Sequence, residues 1–312
     1  MRALMGELGG FSFCVSEFIR VSSDVLPPKA FPKHVPEVAN NCLTPTGLPV
    51  QVQILGGDPE RMALSALNAL KAGATAIDIN FGCPAKTVNR HDGGASILRS
   101  PCRIREIVSA VRQAVPTEIP VSAKLRLGWD STETAEENAQ MAAEGGATWI
   151  TIHARTRMQG YLPPVFYAPL GRIRKNLDVP LVANGDIWNL DEFRRCQDET
   201  GCKHFMLGRC AMANPRLPRL IAAELGLPTK CVESENDWPD LMRRLERWTA
   251  FYSDFPSRSM VLRFKQWLKL AANFGDFVHF DAVKLSDTVE EFYRNLEHAT
   301  SSQSLSRQYS AV

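Results

Sequence analysis

From residue 13 to about residue 207 the chain alternates short apolar runs with longer amphipathic stretches. The apolar runs fall at 13–21, 50–55, 76–81, 120–127, 149–154, 180–184 and 204–207. They are continuous rather than strictly alternating, the pattern of strands buried on both faces of a parallel sheet. Stretches at 59–72, 97–114, 134–144 and 190–199 place apolar residues at helical spacing among Ala, Leu, Glu and Arg. They predict helices that cover the sheet. Repeated strand–helix units give an α/β fold. Seven strands are counted where a TIM (β/α)8 barrel has eight. The spacing is regular inside the chain, so the missing first strand is placed before Phe13. Residues 1–8 read as the end of a helix stopped by Gly9-Gly10, and the chain is expected to begin late relative to a complete barrel.

Beyond Asn214-Pro215 the pattern changes. Residues 238–297 are helix-like throughout, with Trp248, Phe251, Phe264, Trp267, Leu268, Phe292 and Leu296 as apolar anchors. The predicted organisation is a barrel domain over 1–226, a linker around 227–236 and an all-helical domain over 237–300. A Ser-rich tail at 301–312 is expected to be disordered. Aromatic residues at helical spacing usually pack, so Phe264 and Trp267 are read as core rather than as base-stacking platforms.

Composition narrows the class. The 312 residues are 45% hydrophobic and 22% charged, ordinary for a globular protein. No apolar run is long enough to cross a membrane, and no basic segment followed by an apolar run marks a secretory leader. Eight cysteines (14, 42, 83, 102, 196, 202, 210 and 231) include no C-x-x-C pair, which disfavours a zinc ribbon or a thioredoxin-type site. Scattered thiols point to a reducing cytoplasm. The net charge is only +2, but seven Lys and Arg stand against Glu246 and Asp254 between residues 243 and 269. A local basic face is what a polyanion needs.

The strand ends carry the chemistry. Successive strands finish on Glu17 and Arg20, on Gln53, on Asn80, on Lys124 and Arg126, on His153 and Arg155, on Asn184-Gly185-Asp186, and on Gly208-Arg209. Past Asn80 the loop runs Phe81-Gly82-Cys83-Pro84-Ala85-Lys86 and reaches Gly93-Gly94-Ala95. Pro84 fixes its own φ and ends the strand, and the glycines allow a close backbone approach. A buried structural cysteine is the ordinary use of such a joint. The ring as a set has no structural purpose, because a buried Lys or Arg is costly unless paired. No carboxylate pair is placed for glycoside hydrolysis, and no His/Asp cluster has metal-ligand spacing. Asn184-Gly185 and Gly208-Arg209 on the last two strands match the usual barrel phosphate site. Cationic groups and amides around a phosphate site suit a flavin nucleotide.

In order along the chain stand Glu17-Phe18-Ile19-Arg20-Val21, Val52-Gln53-Ile54-Leu55-Gly56, Asp78 to Val88 with Gly93-Gly94-Ala95, Ser122 to Asp130, and His153-Ala154-Arg155-Thr156 with Gln159-Gly160-Tyr161. Ala183 to Trp188, Leu207-Gly208-Arg209 and, in the helical domain, Arg263 to Leu268 complete the series. Each motif is weak alone, whereas their order and spacing are specific. The chain resembles the bacterial tRNA-dihydrouridine synthases, nearest the branch that reduces uridine 16 of the D-loop. The resemblance implies an FMN enzyme on a TIM barrel with a C-terminal helical tRNA-binding domain. NADPH (or NADH) would reduce the flavin, hydride would pass from flavin N5 to uracil C6, and Cys83 would protonate C5. By the same resemblance Gln53, Lys124, His153, Asn184, Gly185, Asp186, Gly208 and Arg209 would hold FMN. Asn80 would bind the target base, and Arg20, Tyr161, Arg263, Lys265 and Gln266 would touch tRNA. The protein is expected to be a cytoplasmic monomer with no metal. The family opens on a short apolar strand ending in a Pro-Met flavin loop, and this sequence has no such segment. Two other readings stay open at this stage: a different FMN-dependent barrel oxidoreductase, and a non-catalytic tRNA-binding paralogue.

Overall fold

A computed structural model describes residues 1–229, 236–252 and 256–309, with side chains to Ser301. Cys231 and most of the expected linker lie outside the described residues. Contacts divide the chain into two units. One holds residues 12–187 and 191–207, and the other holds 1–11, 188–190 and 208 onward.

The first unit is the parallel sheet with its covering helices. Its strands are β1 (Cys14–Val15), β2 (Ile19–Arg20), β3 (Val50–Leu55), β4 (Ile77–Asn80), β5 (Val121–Arg126), β6 (Ile150–His153), β7 (Leu181–Asn184) and β8 (His204–Met206). From β3 to β8 each pairs in parallel with the next. The expected single strand at 13–21 is two short pieces, both on β3. Val15 stands opposite Gln51 and Ile19 opposite Ile54, so between these rungs three residues of one strand face two of the other, as in a bulge. The Ser16 hydroxyl meets the ladder there by accepting from Gln53 N at 3.0 Å. The sheet thus has seven strand positions, as counted from the sequence. Among the described residues no rung joins β8 to β1 or β2, which are its two edges. The β8 edge is only three residues long and begins on exposed His204. A short polar edge limits pairing with other chains.

Local chemistry sets the element bounds. Helix Pro59–Lys71 starts with Pro59 in its first turn and with Asp58 accepting from Arg61 N at 2.8 Å, an ordinary N-cap. The predicted helix at 97–114 is two elements, a 3-10 turn over Gly94–Arg99 and an α-helix over Pro101–Ala114. Pro101 cannot continue a helix begun before it but opens one well. Helix Ala168–Lys175 between β6 and β7 went unpredicted because it is short and strongly basic.

The second unit groups the first residues of the chain with its C-terminal helices. Helix Arg2–Leu8 buries Leu4, Met5 and Leu8 in one cluster with Leu241, Leu245, Phe264 and Trp267. Residues 1–11 and 208–226, expected in the barrel, therefore pack with the C-terminal helices. Glu7 draws the two together further. It accepts from Arg247 at 2.7 Å, Arg244 at 3.2 Å and Trp248 Nε1 at 2.5 Å. Gly10, at φ +86, lies where a Cβ would come within 2.6 Å of Arg219 N, so only glycine fits this exit. The C-terminal helices are Trp238–Tyr252, Ser257–Phe274, Phe280–Val283 and Val289–Tyr309. Phe264 and Trp267 are core, as expected. The last helix carries into the tail predicted to be disordered, because no Gly or Pro interrupts residues 289–309.

Candidate active site

Register brings the strand-end residues of the sheet unit side by side. Gln53 stands opposite Asp78, Asn80 opposite Lys124, Arg126 opposite His153, and His153 opposite Asn184. Side chains two apart on a strand share a face. Gln53, Asp78, Asn80, Ser122, Lys124, Arg126, His153 and Asn184 therefore lie on one face of the sheet, on three successive rungs that rise from Ser122 near the start of β5 to Arg126, His153 and Asn184 at the carboxyl end. In barrels of this type that end bears the active site.

The Cys83 loop is held at both flanks. Gly82 donates its N–H to Asn80 Oδ1 at 2.8 Å, and its carbonyl accepts from Arg126 Nε at 2.8 Å. The Cys83 carbonyl accepts from Ala95 N at 3.1 Å and from Asn89 Nδ2 at 3.3 Å. Gly94 sits at φ +60 with its missing Cβ 3.1 Å from Cys83 Cβ, so a side chain there would push on the cysteine. The half-buried thiol is thus carried by a fixed backbone.

Lys124 Nζ lies 3.3 Å from Asn184 Oδ1, and Asn184 Nδ2 donates to Met206 O at 2.8 Å. Burial pulls the Lys124 amine down to about 8, with Asp78 opposing and Arg126 adding to the shift. Burial pushes the Asp78 carboxyl up to about 6, against the lowering effect of Ser122, Gln53 and Lys124. His153 is buried beside Gly185, where a Cβ would lie 3.1 Å from its ring.

The residues expected to bind cofactor thus divide. Gln53, Lys124, His153, Asn184, Gly185 and Asp186 lie in the sheet unit, whereas Gly208 and Arg209 lie in the other. Both oxygens of Asp186 are taken by Arg155, so its carboxylate holds a loop. Arg209 stands 5.5 Å over the Trp188 ring and 5.7 Å over that of Phe274, which stack on each other at 4.8 Å.

The residues expected to touch tRNA show a similar spread. Tyr161 is 55% exposed, with its ring 6.1 Å from that of His153 and 5.3 Å from the Arg126 guanidinium. Arg20 is half-buried on β2. Arg263 and Lys265 are half-buried and Gln266 is exposed on helix Ser257–Phe274. Part of the basic excess is spent internally. Arg243 pairs with Glu297, Arg244 with Asp240 and Glu7, and Arg247 with Glu7.

Sequence reasoning gave no role to Asp78, Ser122, Arg126 or Arg155. Their contacts cross between strands far apart in the sequence, and the only available signal was polarity inside strands otherwise apolar.

The family model for dihydrouridine synthases (Dus) matches residues 1–297. The chain belongs to the dihydrouridine synthase family. Among curated relatives, the tRNA-dihydrouridine(16) synthase of Aquipseudomonas alcaligenes is 42% identical over 273 residues, covering 86% of this chain and 85% of that protein. The tRNA-dihydrouridine(16) synthase of Shewanella oneidensis is 39% identical over 302 residues, covering 96% and 93%. A solved 2-naphthoyl-CoA reductase in complex with 2-naphthoyl-CoA is similar with a TM-score of 0.52 at 13% identity. The match covers 73% of this chain and 46% of that one, and bears on the fold alone. Within the dihydrouridine synthase frame Gln53, Asn80 and Lys124 lie on adjacent rungs of one sheet, and Cys83 lies on the loop that follows Asn80. Among the described residues no helix is long and apolar enough to cross a membrane, and no cluster has the makings of a metal site.

Proposed function

We propose that this chain reduces a uridine of tRNA to 5,6-dihydrouridine, with position 16 of the D-loop as target, FMN as cofactor and NADPH or NADH as reductant. The observation that carries the proposal is Cys83, half-buried on a loop fixed at both flanks, beside the Asn80–Lys124 rung. The target position follows the relatives' names.

The donor set fits a flavin mononucleotide. An ammonium at Lys124, the His153 imidazole and the Gln53 and Asn184 amides suit the polar edge of a flavin ring, and the lack of a Cβ at Gly185 lets its backbone lie close against His153. Gly208, where a Cβ would meet nothing within 4 Å, and the cationic Arg209 suit a phosphate. When bound, the flavin supplies the hydride that adds to C6 of the uracil. The electron pair of the C5=C6 bond then moves toward C5 and the C4 carbonyl, and C5 requires a proton. The Cys83 thiol is the group on this loop that carries a transferable proton, and it gives that proton up as general acid. Asn80 and Gln53 each have a second amide N–H to offer beyond those already used, one toward the base and one toward the flavin. A stacked D-loop base must leave its stack to reach such a site. Arg20, Tyr161, Arg263, Lys265 and Gln266 are proposed to hold the RNA while it does. A tRNA substrate and cysteines scattered along the chain without a C-x-x-C pair fit a cytoplasmic protein, acting as a monomer.

The test is incubation of the purified full chain with unmodified tRNA, FMN and NADPH, followed by mapping of dihydrouridine. Product at position 16 is expected. Retained FMN with product elsewhere would overturn the position, and no product under any flavin loading would overturn the activity.

A further inference from the structure

A single polar chain runs through the sheet unit from a buried acid to the backbone of the cysteine loop. Asp78 on β4 is 1% exposed. Its carboxylate accepts from Gln53 Nε2 at 2.6 Å and from the Ser122 hydroxyl. Gln53 Oε1 accepts from Asn80 Nδ2 at 2.8 Å, and Asn80 Oδ1 accepts from Gly82 N at 2.8 Å. Ser122 has its single proton committed to Asp78, because Gln51 Nε2 donates to its oxygen at 2.8 Å. A carboxylate only accepts and a backbone N–H only donates. The two ends of the chain therefore dictate the same orientation for both amides between them.

We propose that Asp78 is a positioning residue which, through Gln53 and Asn80, fixes the Gly82 peptide and thereby the Cys83 loop from which the proton is delivered. The proposal rests on the reading of Cys83 as the acid, but the relay itself is a property of the protein alone. Asp78 also opposes the loss of charge at Lys124, but its side-chain hydrogen bonds run to Gln53 and Ser122. A buried carboxylate costs free energy unless its partners offset the lost water, and each partner here is a donor aimed at it. Gln53 and Asn80 are the residues read as meeting flavin and base, so one acid sets the donor and acceptor faces of both.

Asp78→Asn changes one atom and reverses the logic. With the amide oxygen kept on the Ser122 hydroxyl, whose proton has no other taker, the new N–H faces Gln53 and favours the flipped amide, which then presents NH2 to Asn80. Asn80 must flip in turn, and Gly82 N–H loses its acceptor. Moving the charge by one residue repairs this. In Asp78→Asn with Gln53→Glu, the asparagine donates to one oxygen of the new carboxylate and Asn80 donates to the other. Asn80 Oδ1 is then returned to Gly82.

The experiment is amide hydrogen exchange at Gly82 in the full chain, read at single-residue resolution without tRNA or turnover. Asp78→Asn is expected to speed exchange at Gly82 at least about tenfold, by the loss of one buried hydrogen bond. The double variant is expected to return to within about threefold of the parent. Ser122→Ala, which removes a partner of Asp78 outside the relay, is expected to leave Gly82 near its parent rate. Unchanged exchange in Asp78→Asn, loosening in Ser122→Ala as large as in Asp78→Asn, or no recovery in the double variant would each overturn the relay. Should Asp78→Asn fail to fold, Gln53→Met cuts the same relay while leaving Asp78 on Ser122. Faster exchange at Gly82 there supports the proposal and parent-like exchange overturns it. None of these readings depends on whether uridine is reduced, so the relay and the activity stand or fall separately.

Discussion

Arg155 grips both carboxylate oxygens of Asp186, joining the loop that follows β6 to the loop that follows β7. Its guanidinium is fully buried and its Nε also donates to Leu162 O at 2.7 Å. Removing one member of a buried pair leaves the other charge unpaired, at a cost of about 3–5 kcal/mol. Asp186→Ala strands the more deeply buried charge. It is therefore expected to lower stability by an amount in that range, and by more than Arg155→Met does. Denaturant midpoints of the two variants check the order, and equal or negligible losses would refute it.

Lys124 gives a pH dependence with a definite sign. Its amine is charged below about 8 in the folded chain and loses its proton as pH rises through that value. Flavin affinity is expected to weaken between about pH 7 and 9, and Lys124→Met is expected to bind more weakly with a flat profile. Fluorescence titration of FMN across that range reads both. The same shift governs stability. Because the folded-state value lies below the ordinary 10.5, the cost of burying the ammonium is fully present below about 8. That cost is relieved as pH climbs from there toward the ordinary lysine range.

Cys83→Ala separates chemistry from binding. The thiol is half-buried and its loop is held by backbone contacts and by Asn89 and Arg126, so folding and FMN retention are expected to survive. Dihydrouridine formation is expected to fall by about 10²–10⁴, the usual worth of a positioned acid. Measuring bound flavin and product on the same preparation decides the matter, since retained turnover would remove Cys83 from its role.

The place of Arg263 and Lys265 in the motif that resembles the family's tRNA-contacting segment, set against the pairing of Arg243 with Glu297, predicts a division among the basic residues. Arg263→Ala and Lys265→Ala are each expected to weaken tRNA binding and to lower the slope of log affinity against log salt by about one. Arg243→Ala, whose guanidinium pairs with Glu297, is expected to leave that slope unchanged. Binding titrations at several salt concentrations test this, and equal effects at all three positions would contradict it.

Apolar runs, amphipathic stretches and polar strand ends were enough to specify the parallel α/β sheet, its seven strand positions and the placement of Gln53, Asn80, Lys124, His153 and Asn184 on its strands. These features are local in the chain, because burial on both faces demands continuous apolar residues and a βα repeat demands regular spacing. The motif order also led to the family that the match over residues 1–297 supports. The packing of helix Arg2–Leu8 against Leu241, Leu245 and Trp267 was not legible, since no local pattern says which apolar face a short helix will meet. The same holds for Asp186, a ligand candidate by position that is a loop clasp by contact. It holds as well for Asp78, quoted as part of a motif without a role of its own, which anchors the polar relay. Residue type and spacing decide which element forms and where its chemistry sits along the chain. Which donor faces which acceptor across strands tens of residues apart is decided only when the sheet is assembled and water is excluded from between them.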